Sequence, residues 1–382
     1  MTEDNNEITK EKIESQNVDS GNSETKDPKL EEKKERNKKI LRSILFLVAN
    51  VIVVLVLLFI QRDSSDEMVD ITEFFRLLRI HPFYTIYTIS TFLLLLIIDF
   101  IMFMTLTKTM GIKGRSIQKN VNVSIIGRYY DRITPWAIGG EPLQIAYFTG
   151  HGMKIGEASS VTMARHIIRF FPVSFAVIIV LIASRVTTDW WIMLLAILSV
   201  CSGLIVPSFM LLCAIKPKIG FRIGEKVIAL LFKMKIIKSK EKYLEKMHIE
   251  VQKFVDGLRI LWKHKFTTCM LAILALIEMF VNNAAPYFTI RALGVETTFW
   301  EIFVLCIFCN YASSIVPTPG GSGMAEFSFY AVFAAYIGEA HLFWAVLLWR
   351  IAVYYLPILV GFFVQIGISI NTIRKTKKVV SD

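Results

Sequence analysis

Apolar residues along this chain fall in blocks of about 20 or more, the length a helix needs to cross the hydrocarbon core of a bilayer. The blocks run over 41–60, 84–106, 158–183, 190–215, 266–290, 300–316, 324–337 and 341–370. None alternates with the two-residue period of a barrel strand, and only helices or a closed barrel satisfy their own backbone in lipid. The pattern therefore predicts an all-α polytopic membrane protein. A mostly polar stretch over 1–40 precedes the first block, so that block does not read as a signal peptide.

Composition agrees: 54% of residues are hydrophobic and 12% aromatic, and the mean hydropathy is +0.52. A net charge of +11 would point to nucleic acid in a soluble protein. In a membrane protein it marks the cytoplasmic connections instead, and no nucleic-acid partner is expected. Residues 1–40 carry Glu, Lys, Asn and Ser but no aromatic side chain, a composition that predicts a disordered tail. Basic residues cluster at its end and at 108–119, 216–265 and 374–378, whereas 61–80 is acidic. These signs place both termini in the cytoplasm of a multi-pass cell-membrane protein, with 371–382 as a second tail. Within 216–265, Leu244, Met247, Val251, Phe254, Val255, Leu258, Leu261 and Trp262 follow helical spacing. Such an amphipathic basic helix either lies on an anionic leaflet or caps the bundle.

Two stretches are too polar and too broken to be ordinary spans. One is 126–149, IGRYYDRITPWAIGGEPLQIAYFT, and the other is 316–327, VPTPGGSGMAEF. Broken backbone at membrane depth is tolerated where protein or a water-filled cavity satisfies it. The reading is two re-entrant hairpins that dip from opposite faces. One fixed offset superimposes Glu141 on Glu326, Ala146 on Ala331, Phe148 on Phe333 and Arg165 on Arg350. With the spans before each hairpin running in opposite directions, the expected plan is an inverted-repeat helical bundle, as in many secondary transporters.

Ionisable residues in apolar spans are expensive and mark sites by default. The candidates for a substrate path are Arg128, Arg132, Pro135, Gly140, Glu141, Arg165, Pro319, Gly320, Gly321, Gly323, Glu326 and Arg350, with Asp99 and Glu278 as further buried acids. Each buried charge could equally serve to hold helices together. His166 reads as a neighbour of Arg165, not a ligand. Arg128 and Arg132 are expected near the inner mouth of the first hairpin, where arginine's planar fork suits a lipid phosphate or where they act equally well as positive-inside anchors. Pro317 and Pro319 stop one helix and the next starts near Met324. Amides around 321–324 would thus form a helix N-terminus, which attracts an anion. Glu326 would repel that anion unless an arginine or an amine balances it. No catalytic nucleophile–base pair, no metal-ligand cluster and no P-loop stand out. Neither a cofactor nor a metal is expected, and Cys306-x-x-Cys309 reads as part of an apolar helix.

With these motifs, above all Pro-x-Pro-Gly-Gly-x-Gly-x-x-Glu at 317–326, the chain resembles the membrane domain of the lysylphosphatidylglycerol synthases over roughly residues 40–370. That domain is the flippase-like module of the multiple peptide resistance factor. The resemblance implies movement of an aminoacylated phosphatidylglycerol to the outer leaflet, with Pro135, Gly140, Glu141, Pro319, Gly320, Gly321, Gly323 and Glu326 as motif positions. The chain ends about a dozen residues after its last block, so the tRNA-dependent transferase domain of the two-part proteins is expected to be absent. The expectation is a phospholipid flippase. The alternatives are a component of lysyl-lipid synthesis and a transporter of a lipid-linked glycan. Homo-oligomerisation is left open.

Overall fold

The computed structural model describes residues 69–381 apart from 115, 184–189, 235–238, 314–315, 317 and 319. The tail over 1–40, the first apolar block at 41–60, Pro317 and Pro319 lie outside the described residues. What is described is α-helical and connected by short turns, without a strand. Helix α1 (Ile71–Ile80) opens on Asp70, whose carboxylate accepts from the Thr72 amide and hydroxyl, as an N-cap does. Helix α2 (Pro82–Thr109) starts on a proline, which lacks the amide that a helix start leaves unpaired. Next come α3 (Ile117–Ile133), α4 (Gly140–Gly150), α5 (Ile155–Ala183), α6 (Trp190–Ile215), α7 (Pro217–Lys233), α8 (Lys240–Lys263) and α9 (Lys265–Ala292). The last are α10 (Phe299–Ser313), α11 (Met324–Ile337), α12 (Glu339–Arg350), a π-helical turn at Ile351–Tyr355 and α13 (Leu356–Ser381).

Five of the described segments are long and apolar enough to cross a membrane: Pro82–Thr109, Ile155–Ala183, Ile197–Ile215, Lys265–Ala292 and Ala340–Ile368. Their exposed apolar positions follow helical spacing, for example Ile86, Ile89, Leu93, Ile97 and Ile101 on α2. Lipid can cover such a stripe, while Leu95, Ile98, Asp99, Met102 and Phe103 face the interior. The molecule is an all-α polytopic membrane protein. Helices α10 and α11 have 15 and 14 residues, about 21–23 Å at 1.5 Å per residue, too short to cross ~30 Å of hydrocarbon singly. Cys306 and Cys309 are buried free thiols in α10.

Helices α2 and α9 pack along each other at the centre, and α3, α5 and α12 close around them. The expected helix in the 216–265 loop forms as α8, and it caps the bundle. Val255, Leu258 and Leu261 are buried against α5. The Gly156 amide at the start of α5 donates to Glu250 at 2.6 Å. A β-carbon built on Gly257 would lie 2.5 Å from that of Ser160 on α5, so the two helices meet at near-backbone distance. Gly257→Val should lower stability by about 1–3 kcal/mol through overpacking, read as equilibrium unfolding in mixed micelles. An unchanged midpoint would mean that α8 does not seat on α5 in this way.

Candidate functional site

The central cluster of interior charges comes from four helices. Asp99, in the middle of α2, is 1% exposed, yet its carboxylate is shared by two arginines. Arg165 of α5 donates to Oδ1 through Nε at 2.9 Å and through a second, shorter contact from Nη2. Arg128 of α3 puts Nε 2.5 Å from Oδ2. The other edge of Arg128 donates to Glu278 of α9 at 2.8 Å and to the Leu95 carbonyl of α2 at 2.9 Å. Arg169, one helical turn beyond Arg165, approaches Glu278 to 3.5 Å. Three guanidinium groups and two carboxylates thus tie α2, α3, α5 and α9 together. This is the pairing that buried charge requires, because removing one partner would leave the others uncompensated.

The first broken stretch is a helical hairpin, α3–turn–α4. Its turn satisfies its own backbone: the Gly139 amide donates to Thr134 Oγ1 at 2.9 Å, and the Gly140 amide to Asp131 at 3.0 Å. Only glycine fits at 140, where a β-carbon would fall 2.9 Å from the Gly127 carbonyl oxygen. Pro135, Trp136, Ala137 and Ile138 form an exposed tip, with φ of 53° at Trp136 and 55° at Ala137. Two successive side-chain-bearing residues in the left-handed region store strain. Glu141 in the first turn of α4 bonds His166 Nδ1 of α5 at 2.8 Å, and His166 stacks on Phe170.

The second broken stretch joins α10 to α11 and is closed differently. Gly323, at φ 86°, precedes α11, and its amide donates to Glu326 Oε2 at 2.6 Å. Arg350 donates to the same oxygen at 2.7 Å. The Gly323 amide, expected to be open to an anion, is therefore taken by the chain's own carboxylate. Gly321 bonds backbone to backbone, its amide to Thr318 and its carbonyl to the Ala325 amide. The π turn starts right after Arg350 and turns Tyr354 inward, 0% exposed, where its hydroxyl accepts from Ser322 at 2.8 Å. Such turns recur at functional sites.

The two breaks meet. At Gly320 (φ 57°) a β-carbon would lie 2.8 Å from the Arg132 carbonyl oxygen and would overlap the Tyr354 ring. The turn after Pro317-Thr-Pro thus packs on the end of α3. Arg132 lies at this junction and not at a mouth of the hairpin: α3 runs Ile117–Ile133, so residue 132 falls in its last turn and Arg128 one turn earlier. Half-buried, Arg132 has neither a hydrogen bond nor an ion pair among the described residues. The other four interior arginines, Arg128, Arg165, Arg169 and Arg350, each have an acid within 3.5 Å.

The family of the lysylphosphatidylglycerol synthase TM region matches residues 43–361. The chain belongs to this family. It is also similar to a protein of Archaeoglobus fulgidus described as a UPF0104 membrane protein, 24% identical over 262 residues that cover 66% of this chain and 75% of the relative.

Within this family member, the repeated Glu–Arg spacing does not translate into repeated pairing. Glu326 meets Arg350, whereas Glu141 meets His166 and Arg165 turns to Asp99. The reason is angular: Arg165 and Arg169, four residues apart, share one face of α5 toward α2 and α9. His166 lies a quarter turn away, toward α4. His166 is thus a partner of Glu141. The sequence pattern does not single out Asp131 or Arg169. Asp131 stood next to the turn in YYDRITP, and Arg169 followed Arg165 by one helical turn. Those spacings were the available signals. Among the described residues, no three His, Cys, Asp or Glu side chains gather as a metal would need.

The Glu326–Arg350 pair makes a separable test. Arg350→Met alone leaves a buried carboxylate unpaired and should cost about 3–5 kcal/mol. Adding Glu326→Gln should restore most of it, because the amide oxygen still accepts from Gly323. Equilibrium unfolding of both variants decides; an additive second loss would rule out the pairing as the source.

Proposed function

We propose that this chain moves a phosphate-bearing lipid headgroup across the bilayer along the seam between the two hairpins, with Arg132 as the phosphate contact. The observation that carries the reading is Arg132, which among the described residues has no hydrogen bond or ion pair at the junction of the two broken stretches, while Arg128, Arg165, Arg169 and Arg350 are each paired with an acid. A guanidinium whose donors make no hydrogen bond to an acid suits a phosphate diester in the bidentate way. A polar seam of this kind lowers the cost of taking a charged headgroup through hydrocarbon, while the acyl tails stay in lipid. Membership of the lysylphosphatidylglycerol synthase TM family supports a lipid as cargo, and the resemblance noted above makes lysyl-phosphatidylglycerol one candidate. A phospholipid and a lipid-linked glycan share the phosphate that Arg132 would hold.

The same reading gives Asp99, Glu278, Arg128 and Arg165 the task of fixing the frame. Gly140, Gly320, Gly321 and Gly323 would let the two turns approach. Glu141 with His166, and Glu326 with Arg350, would line the two sides of the path.

The test is translocation in proteoliposomes, read as accessibility of headgroup-labelled phosphatidylglycerol and of its lysyl derivative to an outside-only quencher. Arg132→Ala should slow movement roughly 10-fold or more, the worth of a charge-assisted hydrogen bond, with an unchanged unfolding midpoint. Arg132→Lys should keep part of the rate. Movement at the wild-type rate in Arg132→Ala would remove this residue from the path. No movement of either lipid by the wild-type chain, with or without a pH gradient, would overturn the flippase reading for these lipids.

A further inference from the structure

Helix α7 (Pro217–Lys233) has three faces of different chemistry. One packs on α8: Ile228 is buried, a β-carbon at Gly224 would meet Met247 at 3.0 Å (Cε), and one at Gly220 would meet Val251 at 3.6 Å. The next face is apolar and open. Ile223, Val227, Leu230 and Met234 follow one another by three or four residues and are 40%, 50%, 57% and 59% exposed. That spacing makes one continuous stripe. Alongside it runs a basic row, Lys218, Arg222, Lys226 and Lys233, all exposed. The helix has one acid, Glu225, at the edge of the basic row toward α8, 3.4 Å from His248 of α8.

The stripe is held at a defined place. Helix α6 is apolar to its last residue, with Ile205, Phe209, Leu212 and Ile215 exposed in the manner of a lipid-facing span. Lys216 is the one residue between Ile215 and Pro217, and Pro217 cannot continue the ladder. The chain turns there: a β-carbon on Gly220 would come within 3.8 Å of Cys213, whereas seven residues of continuous helix would separate them by ~10 Å. On the other side of α8, Trp262 and Phe266 are 47% and 85% exposed where the chain enters span α9. Exposed aromatic residues and Lys at such junctions mark a membrane–water boundary.

We infer that α7 lies along the bilayer surface as an interfacial anchor, its Ile223–Val227–Leu230–Met234 stripe in the acyl boundary and its Lys218, Arg222, Lys226 and Lys233 row on anionic headgroups. The occupant of this face is the leaflet of the protein's own membrane. Charge complementarity and the single-residue link to span α6 favour it over a second copy of the chain. An interfacial helix combines buried apolar area with attraction to anionic lipid, and α7 presents both side by side. Of the two fates open to the amphipathic loop helix in the sequence, α8 takes the cap and α7 the leaflet. The inference is independent of the flippase reading and stands whether or not lipid is moved.

The test places an environment-sensitive NBD fluorophore at Val227→Cys, with the exposed Cys201 and Cys269 replaced by serine, in the full chain in nanodiscs. One set is phosphatidylcholine alone and the other contains phosphatidylglycerol. With phosphatidylglycerol present, the emission should shift to the blue and be quenched by shallow doxyl-lipid. The effect should be several-fold weaker in phosphatidylcholine alone or in molar salt, which screens surface charge. Changing all four basic residues to Gln should abolish the dependence on phosphatidylglycerol without moving the unfolding midpoint. A probe that stays in water in both lipids overturns the inference, as does burial that is indifferent to lipid charge and to the Gln changes. Burial that appears only with two copies per disc would assign the face to a second chain.

Discussion

Asp99 sits at 1% exposure in an otherwise apolar helix, where an isolated charge at bilayer depth would cost at least ~2.5–3.5 kcal/mol. The bundle is arranged around cancelling that cost. Arg165 of α5 and Arg128 of α3 approach the carboxylate from different helices, and Arg128 continues to Glu278 of α9. Because each partner belongs to a different element, pairing the charges also sets how α2, α3, α5 and α9 lie against one another. Hydrophobic stripes alone would leave that arrangement loose, since lipid tails are as apolar as the helix surfaces they would replace.

The same constraint governs the backbone. A helix broken in an apolar setting exposes amides and carbonyls that must be satisfied locally. The first hairpin does this with Thr134 and Asp131, the second with Glu326, whose carboxylate is in turn neutralised by Arg350. The two halves reach equivalent ends with non-equivalent residues. Arg132, Gly320 and Tyr354 meet at the junction of the two turns. Among the described residues, Arg128, Arg165, Arg169 and Arg350 are each paired with an acid while Arg132 makes no ion pair, and the proposed path for a phosphate begins there.

The periphery follows a third rule, that apolar surface must be covered by something. On α2, α6 and α9 lipid tails suffice. On α8 the apolar face is covered by α5, with Glu250 capping the start of α5. On α7 the stripe is exposed among the described residues, and the basic row beside it suits an anionic headgroup layer.

Much of this was legible in the residues. Spans at 84–106, 158–183, 190–215 and 266–290 follow from block length and hydropathy. The breaks at 134–140 and 316–323 follow from proline and glycine, because those residues act on the backbone within a few positions. The identity of the buried charges was also visible, since an acid in LLLLIIDFIMF has no local means of escape. Which charge meets which was not. Asp99 and Arg165 are 66 residues apart and Arg128 and Glu278 are 150 apart, and no local pattern carries that distance. The repeat suggested that Arg165 would act as Arg350 does; the rotation of α5 decided otherwise, handing Glu141 to His166. Likewise, the sequence marked 216–265 as amphipathic, but the choice of which face is covered by protein and which is left for lipid belongs to packing. Local chemistry determines where a chain must break and which groups need partners. Only the assembled bundle determines who the partners are, because pairing energy depends on distances in space that the order of residues does not contain.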